Sequence, residues 1–126
     1  MSHSPSADPA TAIEARMREL GLADEPDEAR EVLTEFIETL RRRARDLEEA
    51  VRSRRREAVV REAHALAGAA VTLGADRLGG LAHGLEEDVA AGRTASLDAL
   101  WGDVAAEVER VLDACDRLHD RSVATD

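Results

Sequence analysis

The chain has no tyrosine, one phenylalanine (Phe36) and one tryptophan (Trp101), so an interior for its 126 residues has to be built from aliphatic side chains. A single cysteine, Cys115, excludes an intramolecular disulfide framework and a cysteine-rich zinc site. Only three prolines interrupt the chain. No apolar run approaches the roughly 20 residues needed to span a bilayer. The opening residues, Met1 to Asp8, carry neither a basic segment nor an apolar core, so no secretory leader is expected and a cytoplasmic location is. A formal net charge of −10 argues against general nucleic-acid binding. There is no nucleophile triad, no glycine-rich phosphate loop, no dense carboxylate cluster and no ATP-binding segment, which excludes autophosphorylation.

What remains is rich in Ala, Leu, Glu and Arg, with 35% charged and 44% apolar residues. That composition suits one all-helical domain. Asp8 and Pro9 read as an N-cap and first helical residue after a disordered tail over residues 1–8. A short helix runs to about Leu20, with Ile13, Met17 and Leu20 on one side, and Gly21 ends it. Acidic residues from Asp24 to Glu28 open a second helix, about Pro26 to Val51, whose inner stripe is Val32, Leu33, Phe36, Ile37, Leu40, Ala44, Leu47 and Val51. Arg41, Arg42, Arg43 and Arg45 lie on its outer face. A break falls around Arg52–Arg54, with Ser53 as the expected N-cap of the next helix. The third helix spans about Arg54 to Leu73 and stops at Gly74. The fourth starts near Ala75 and turns Leu78, Leu81, Ala82, Leu85 and Val89 inward. Gly79, Gly80 and Gly84 weaken it by about 1 kcal/mol each relative to Ala. Ser96 is the expected N-cap of a last helix from Leu97 to about His119, whose inner face includes Trp101, Val104, Val111, Leu118 and Cys115 as a buried thiol. Four amphipathic helices joined by short turns predict an all-α fold: an antiparallel up-and-down four-helix bundle over residues 9–121, with the short N-terminal helix added and residues 122–126 as a tail. The apolar stripes are used within one bundle, so a monomer is expected.

One stretch stands out. Val59, Ala63, Leu66, Ala70 and Leu73 recur at steps of four and three, the buried stripe of the third helix. His64 lies at the edge of that stripe, and Gly68 is one turn further along the same face. A mid-helix glycine costs about 1 kcal/mol against alanine, so in an alanine-rich chain it calls for a reason. Clearance for another molecule beside the imidazole is one reason. Close helix packing beside an ordinary surface histidine is the competing one.

A hairpin turning at Gly74–Ala75 sets His64 level with about residue 85. Leu85 points inward, so Glu86 is the nearest side chain able to flank the imidazole. A carboxylate there would fix the tautomer and leave the other nitrogen outward as a nucleophile; on spacing alone Glu86 is equally a solvated surface residue. A histidine with so little local machinery suits a relay whose partner brings the metal and the electrostatic stabilisation. His83 and Glu87, four residues apart, make at most half of a metal site.

The ordered set His64, Ala65, Leu66, Ala67, Gly68, then Leu73, Gly74, Ala75, Leu78, and Leu85, Glu86 resembles the signature of the histidine phosphotransfer (HPt) domain family of bacterial and plant-type phosphorelays. The resemblance implies a four-helix bundle. It implies that His64 accepts a phosphoryl group on its outward nitrogen and exchanges it with an aspartate of a response-regulator receiver domain. The receiver, or a hybrid histidine kinase carrying one, is the implied partner, and Mg²⁺ is expected on the receiver rather than on this chain. Glu86 matches the residue that orients the imidazole, and Gly68 matches the glycine that admits the docking receiver, with Ala67, Val60 and Val71 on the same docking face. Where the family carries a lysine, this chain has Ala67; Arg61, three residues before His64, is the candidate phosphate contact in its place. The Arg41–Arg45 and Arg52–Arg56 runs are either contacts for a receiver's acidic pocket or solvated faces. The alternative function is an HPt-like module that docks a receiver or kinase without carrying phosphate; a third is a helical adaptor unrelated to phosphorelays.

Overall fold

The computed structural model describes residues 8–124, with side chains through residue 122. The tail expected over residues 1–8 lies outside the described residues, Asp8 excepted. Among the described residues every regular element is a helix: α1 (Pro9–Glu19), α2 (Pro26–Arg52), α3 (Arg56–Thr72), α4 (Asp76–Ala90) and α5 (Leu97–Ala124).

The helix ends follow local chemistry. The Asp8 carboxylate accepts the Ala10 N–H at 3.0 Å, with Pro9 as the first helical residue. Three helices stop on glycines in the left-handed region, Gly21, Gly74 and Gly92, with φ of +80°, +84° and +82°. Each closes a Schellman motif. At Gly74, for example, the Ala75 N–H donates to Ala70 O at 3.0 Å and the Gly74 N–H to Val71 O at 3.1 Å. The end of α2 uses the same motif without a glycine. Arg54 adopts φ of +54°, and the Arg54 and Arg55 N–H groups donate to Val51 O and Ala50 O. Ser53 therefore closes α2 rather than capping α3, and its hydroxyl donates to Glu49 Oε2 at 3.2 Å. The expected N-cap role is lost because the Schellman turn occupies residues 53–55; α3 opens at Arg56 without a side-chain cap. At the other end, α5 continues to Ala124 instead of stopping near His119, so residues 122–124, assigned above to a tail, are still helical. The Ser122 hydroxyl donates to Leu118 O, and Arg30 Nη1 donates to Ser122 O at 3.0 Å, which satisfies backbone carbonyls in that last turn.

α3 packs most extensively on α4 and also against α2; α5 packs on α2, α4 and α1. Arg56 at the start of α3 donates to Val89 O and Ala90 O at the end of α4, at 3.0 and 2.7 Å, so these two helices run in opposite directions. Arg30 near the start of α2 reaches the end of α5 in the same sense. One core joins all five helices. Ile13, Leu33, Leu40, Leu47, Leu66, Leu78, Leu85 and Val111 are among its fully enclosed side chains, and Cys115 is buried with them. Burial pushes the Cys115 thiol up to about 12. Leu20, expected inward, is half exposed, because it caps α1 beyond the last buried turn.

Two glycines explain close approaches. A Cβ on Gly79 would lie 2.6 Å from Val71 Cγ1, so this residue lets α4 close on α3. A Cβ on Gly74 would lie 2.9 Å from Ala12 O, because α1 rests on that turn. Ion pairs from Asp8 to Arg117 (3.0 Å) and from Glu14 to Arg121 (3.5 Å) hold α1 against α5. The Arg117 guanidinium, and next the Ala10 N–H, hold the Asp8 carboxyl down at about 2. Glu107 is the one buried charged residue among those described; Arg110 (2.8 Å) and Arg77 of α4 (3.4 Å) neutralise it.

Candidate functional site

The α3 stripe of Val59, Ala63, Leu66 and Ala70 is buried as its periodicity requires. That places His64, one residue past Ala63, on the seam with α4, where its side chain is 76% exposed. Glu86 follows buried Leu85 on α4 and enters the same seam, 19% exposed. The two expected partners meet. His64 Nδ1 lies 3.2 and 3.1 Å from the two carboxylate oxygens of Glu86. An ionised carboxylate only accepts, so in a neutral ring this contact puts the hydrogen on Nδ1 and leaves the lone pair on Nε2. Among the described residues no hydrogen-bond partner reaches Nε2, which faces outward. The arrangement is an exposed imidazole with one ring nitrogen held by a carboxylate, a geometry that can present the other nitrogen as a nucleophile.

The surroundings are bare. A Cβ built on Gly68 meets nothing within 4 Å, so the packing of this chain does not require a glycine there. The close-packing explanation of Gly68 fails, and it fits Gly79 instead. Of the other residues expected on the docking face, Val71 is 49% exposed, whereas Val60 and Ala67 are half-buried and pack against the core. Val60 and Ala67 therefore pack inward more than they face outward. Arg61 is exposed, and its Nε donates to Glu62 Oε2 at 3.3 Å; no hydrogen bond joins it to His64. All seventeen basic residues of the chain are arginines, so the missing lysine at Ala67 belongs to a chain without any lysine.

The arginine runs lie elsewhere. Arg41 and Arg45 line a groove between α2 and α5 beside half-buried Trp101. Arg52 pairs with Glu48, Arg54 with Asp98, and Arg56 binds the last carbonyls of α4. These contacts are structural, and none points a cation at His64. The side of α3 turned towards α2 instead borders an open cavity of about 490 Å³ whose lining includes Glu28, Glu31, Glu35 and Phe36 from α2 and Thr72 from α3.

His83, paired with Glu87 in the sequence reading, also reaches Glu86. His83 Nδ1 lies 3.4 Å from Glu86 Oε1, and its Nε2 lies 3.3 Å from Glu87 Oε2. The Glu86 carboxylate thus sits between two imidazoles. The signal was present as the three-residue step from His83 to Glu86, but attention to the four-residue step to Glu87 pointed towards metal binding. Among the described residues no group of three or more His, Cys, Asp and Glu side chains is placed to hold a metal ion, and no helix is long and apolar enough to cross a membrane.

Neither the curated proteins nor the solved structures give a significant match to the chain. The family described as Hpt domain does, over residues 31–121, from within α2 to the last turns of α5. The matched region contains His64, Gly68 and Glu86 and leaves α1 outside it. A match across more than two thirds of the sequence, carrying an outward imidazole braced by a carboxylate, places the chain in one group: it belongs to the Hpt domain family.

Proposed function

We propose that this protein is a phosphorelay intermediate that accepts a phosphoryl group on Nε2 of His64 and returns it to an aspartate of a response-regulator receiver domain. Hpt domains act in histidine phosphotransfer within two-component phosphorelays, and receivers and kinases are their partners. The observation that carries the reading for this chain is the 3.1 Å bond from His64 Nδ1 to Glu86, with Nε2 free and outward. In the forward step the Nε2 lone pair attacks phosphorus of the receiver's aspartyl phosphate. The N–P bond forms, the P–O bond breaks, and its electron pair leaves on the aspartate carboxylate. The ring gains positive charge, and the Glu86 carboxylate lies against the nitrogen that shares it. Mg²⁺, expected on the receiver, would neutralise the transferring phosphoryl group. Reversal of the same steps returns the group, so the protein is a carrier and not a kinase.

The four long helices are read as an antiparallel up-and-down bundle, supported by the opposed ends of α3 with α4 and of α2 with α5. The protein is read as a cytoplasmic monomer in this role. The test is incubation with receiver domains charged by acetyl phosphate. The expected product is an acid-labile, base-stable phosphate on the wild type and none on His64→Gln. Receiver binding without label would support a docking module that carries no phosphate, the reading favoured by Ala67. Equal labelling of His64→Gln would refute the relay role of His64.

A further inference from the structure

The surface around His64 is not evenly charged. From His64 the exposed face of α3 continues through Gly68 to Thr72, and eight residues of helix carry it about 12 Å. There it meets the α2–α3 cavity of about 490 Å³, whose floor includes Phe36 and whose rim is Glu28, Glu31 and Glu35. Arg30 and His119 share a neighbouring groove with Glu31 and Glu35, but the Arg30 guanidinium is engaged by Asp27 and by Ser122 O. The spacing of the three, at steps of three and four on an exposed face, repeats one negative charge per turn of α2. Arg41 and Arg45 lie in a separate groove, between α2 and α5. The charge seen by a partner docked over His64 is therefore acidic on the α2 side, the reverse of what the arginine runs in the sequence suggest.

We infer that the α2–α3 groove selects the partner: it seats an apolar side chain of the receiver flanked by lysine or arginine, with Glu28, Glu31 and Glu35 as the specificity-determining charges. This rests on the relay reading above and names the partner chemistry of the same site. The reach is sufficient. A protein interface covers about 800 Å² on each partner, a patch of about 16 Å radius, so a receiver centred on His64 covers the groove. Complementary rim charges act mainly on encounter and on rejection of wrong partners. The rim should therefore govern the receiver concentration needed for transfer, and leave the transfer rate at saturation to His64 and Glu86.

The experiment uses the full chain phosphorylated on His64 and a panel of purified receiver domains from the same genome, taking forward the receiver that reacts fastest. Transfer rate is followed against receiver concentration at low and high salt. Glu31→Lys combined with Glu35→Lys is expected to raise the half-saturating receiver concentration at least tenfold at low salt, with the saturating rate unchanged and the salt dependence weakened or reversed. Glu31→Gln with Glu35→Gln should give a smaller rise in the same direction and guards against a folding defect in the lysine variant. Arg41→Glu with Arg45→Glu, in the separate α2–α5 groove, should change neither quantity. Unchanged half-saturation in both rim variants, or an equal effect from the Arg41 and Arg45 variant, overturns the inference while leaving the relay reading intact. Failure of every receiver to exchange phosphate with His64 overturns the relay reading, and this inference with it.

Discussion

Gly68→Ala separates what the fold needs from what a partner needs. The added methyl meets no atom within 4 Å, and Gly68 lies in mid-helix with ordinary helical backbone. Nothing in the isolated protein opposes the substitution, so it should express the full helix-propensity difference, about 1 kcal/mol of stabilisation. For a domain of this size that is a rise in Tm of about 3–5 °C, or about 0.5 M in urea midpoint at constant m-value. Gly79→Ala is the internal comparison. Its propensity gain is the same, but the new Cβ falls 2.6 Å from Val71 Cγ1, and Val71 or the α3–α4 seam has to shift. Gly68→Ala should therefore stabilise more than Gly79→Ala. Urea denaturation followed by circular dichroism gives both values, and receiver-dependent dephosphorylation gives the functional half. A progressive loss of transfer from Ala to Leu at position 68, with stability at or above wild type, is the expected pattern. Destabilisation by Gly68→Ala, or a greater gain from Gly79→Ala, would refute the view that the space beside His64 is kept for another molecule.

Other outcomes follow from the same geometry. Arg54→Gly should stabilise the protein by about 0.5–1 kcal/mol, because it relieves a left-handed non-glycine residue and forfeits only an exposed ion pair to Asp98; the urea midpoint checks it. Glu107→Ala should cost about 1–3 kcal/mol, since Glu107 is the buried partner of Arg77 and Arg110; thermal melts read this. Cys115 gives an alkaline signature. Its thiol is held up to about 12 against an ordinary 9.0, so its contribution is complete below pH 9 and is lost as pH rises towards 12, by about 2 kcal/mol between pH 9 and 11. The chain has no lysine and no tyrosine to titrate in that window, so Cys115→Ala should abolish the slope. At the acid end Asp8 works in the opposite sense: its depressed carboxyl stabilises the fold above its ordinary 3.8, and that contribution disappears as pH falls through about 2. Neutralising it as Asp8→Asn should flatten the acid limb of a denaturation series.

The fold was legible because its signals are local and repeated. Periodic stripes gave all five helices, and Gly21 and Gly74 marked two ends correctly through their need for positive φ. The start of α3 was misread because the left-handed turn that closes α2 is filled by Arg54, a residue with no propensity for it, so Ser53 looked like the next cap. The end of α5 was misread because Arg30, ninety-two residues away, supplies the hydrogen bond to Ser122 O that supports its last turn. In the site, His64 and Glu86 could be paired from the hairpin register alone. The acidic groove beside Thr72 could not, because it depends on how adjacent helices are rotated about their axes, whereas the second imidazole on Glu86 lies one three-residue step away within α4. The arginine runs show the same limit: a cluster in sequence is spread around a helix, and Arg41 and Arg45 turn away from the site.

The central claim is that Glu86, by holding Nδ1, leaves Nε2 of His64 as the phosphorylated atom. Phosphorus–proton correlation NMR of the phosphorylated, isotope-labelled protein distinguishes the two ring positions of a phosphohistidine. The account predicts one species, the Nε2-phosphoryl form of His64, in the wild type, and a mixture or slower formation in Glu86→Ala. A phosphoryl group on Nδ1 of His64, or on His83, would contradict it.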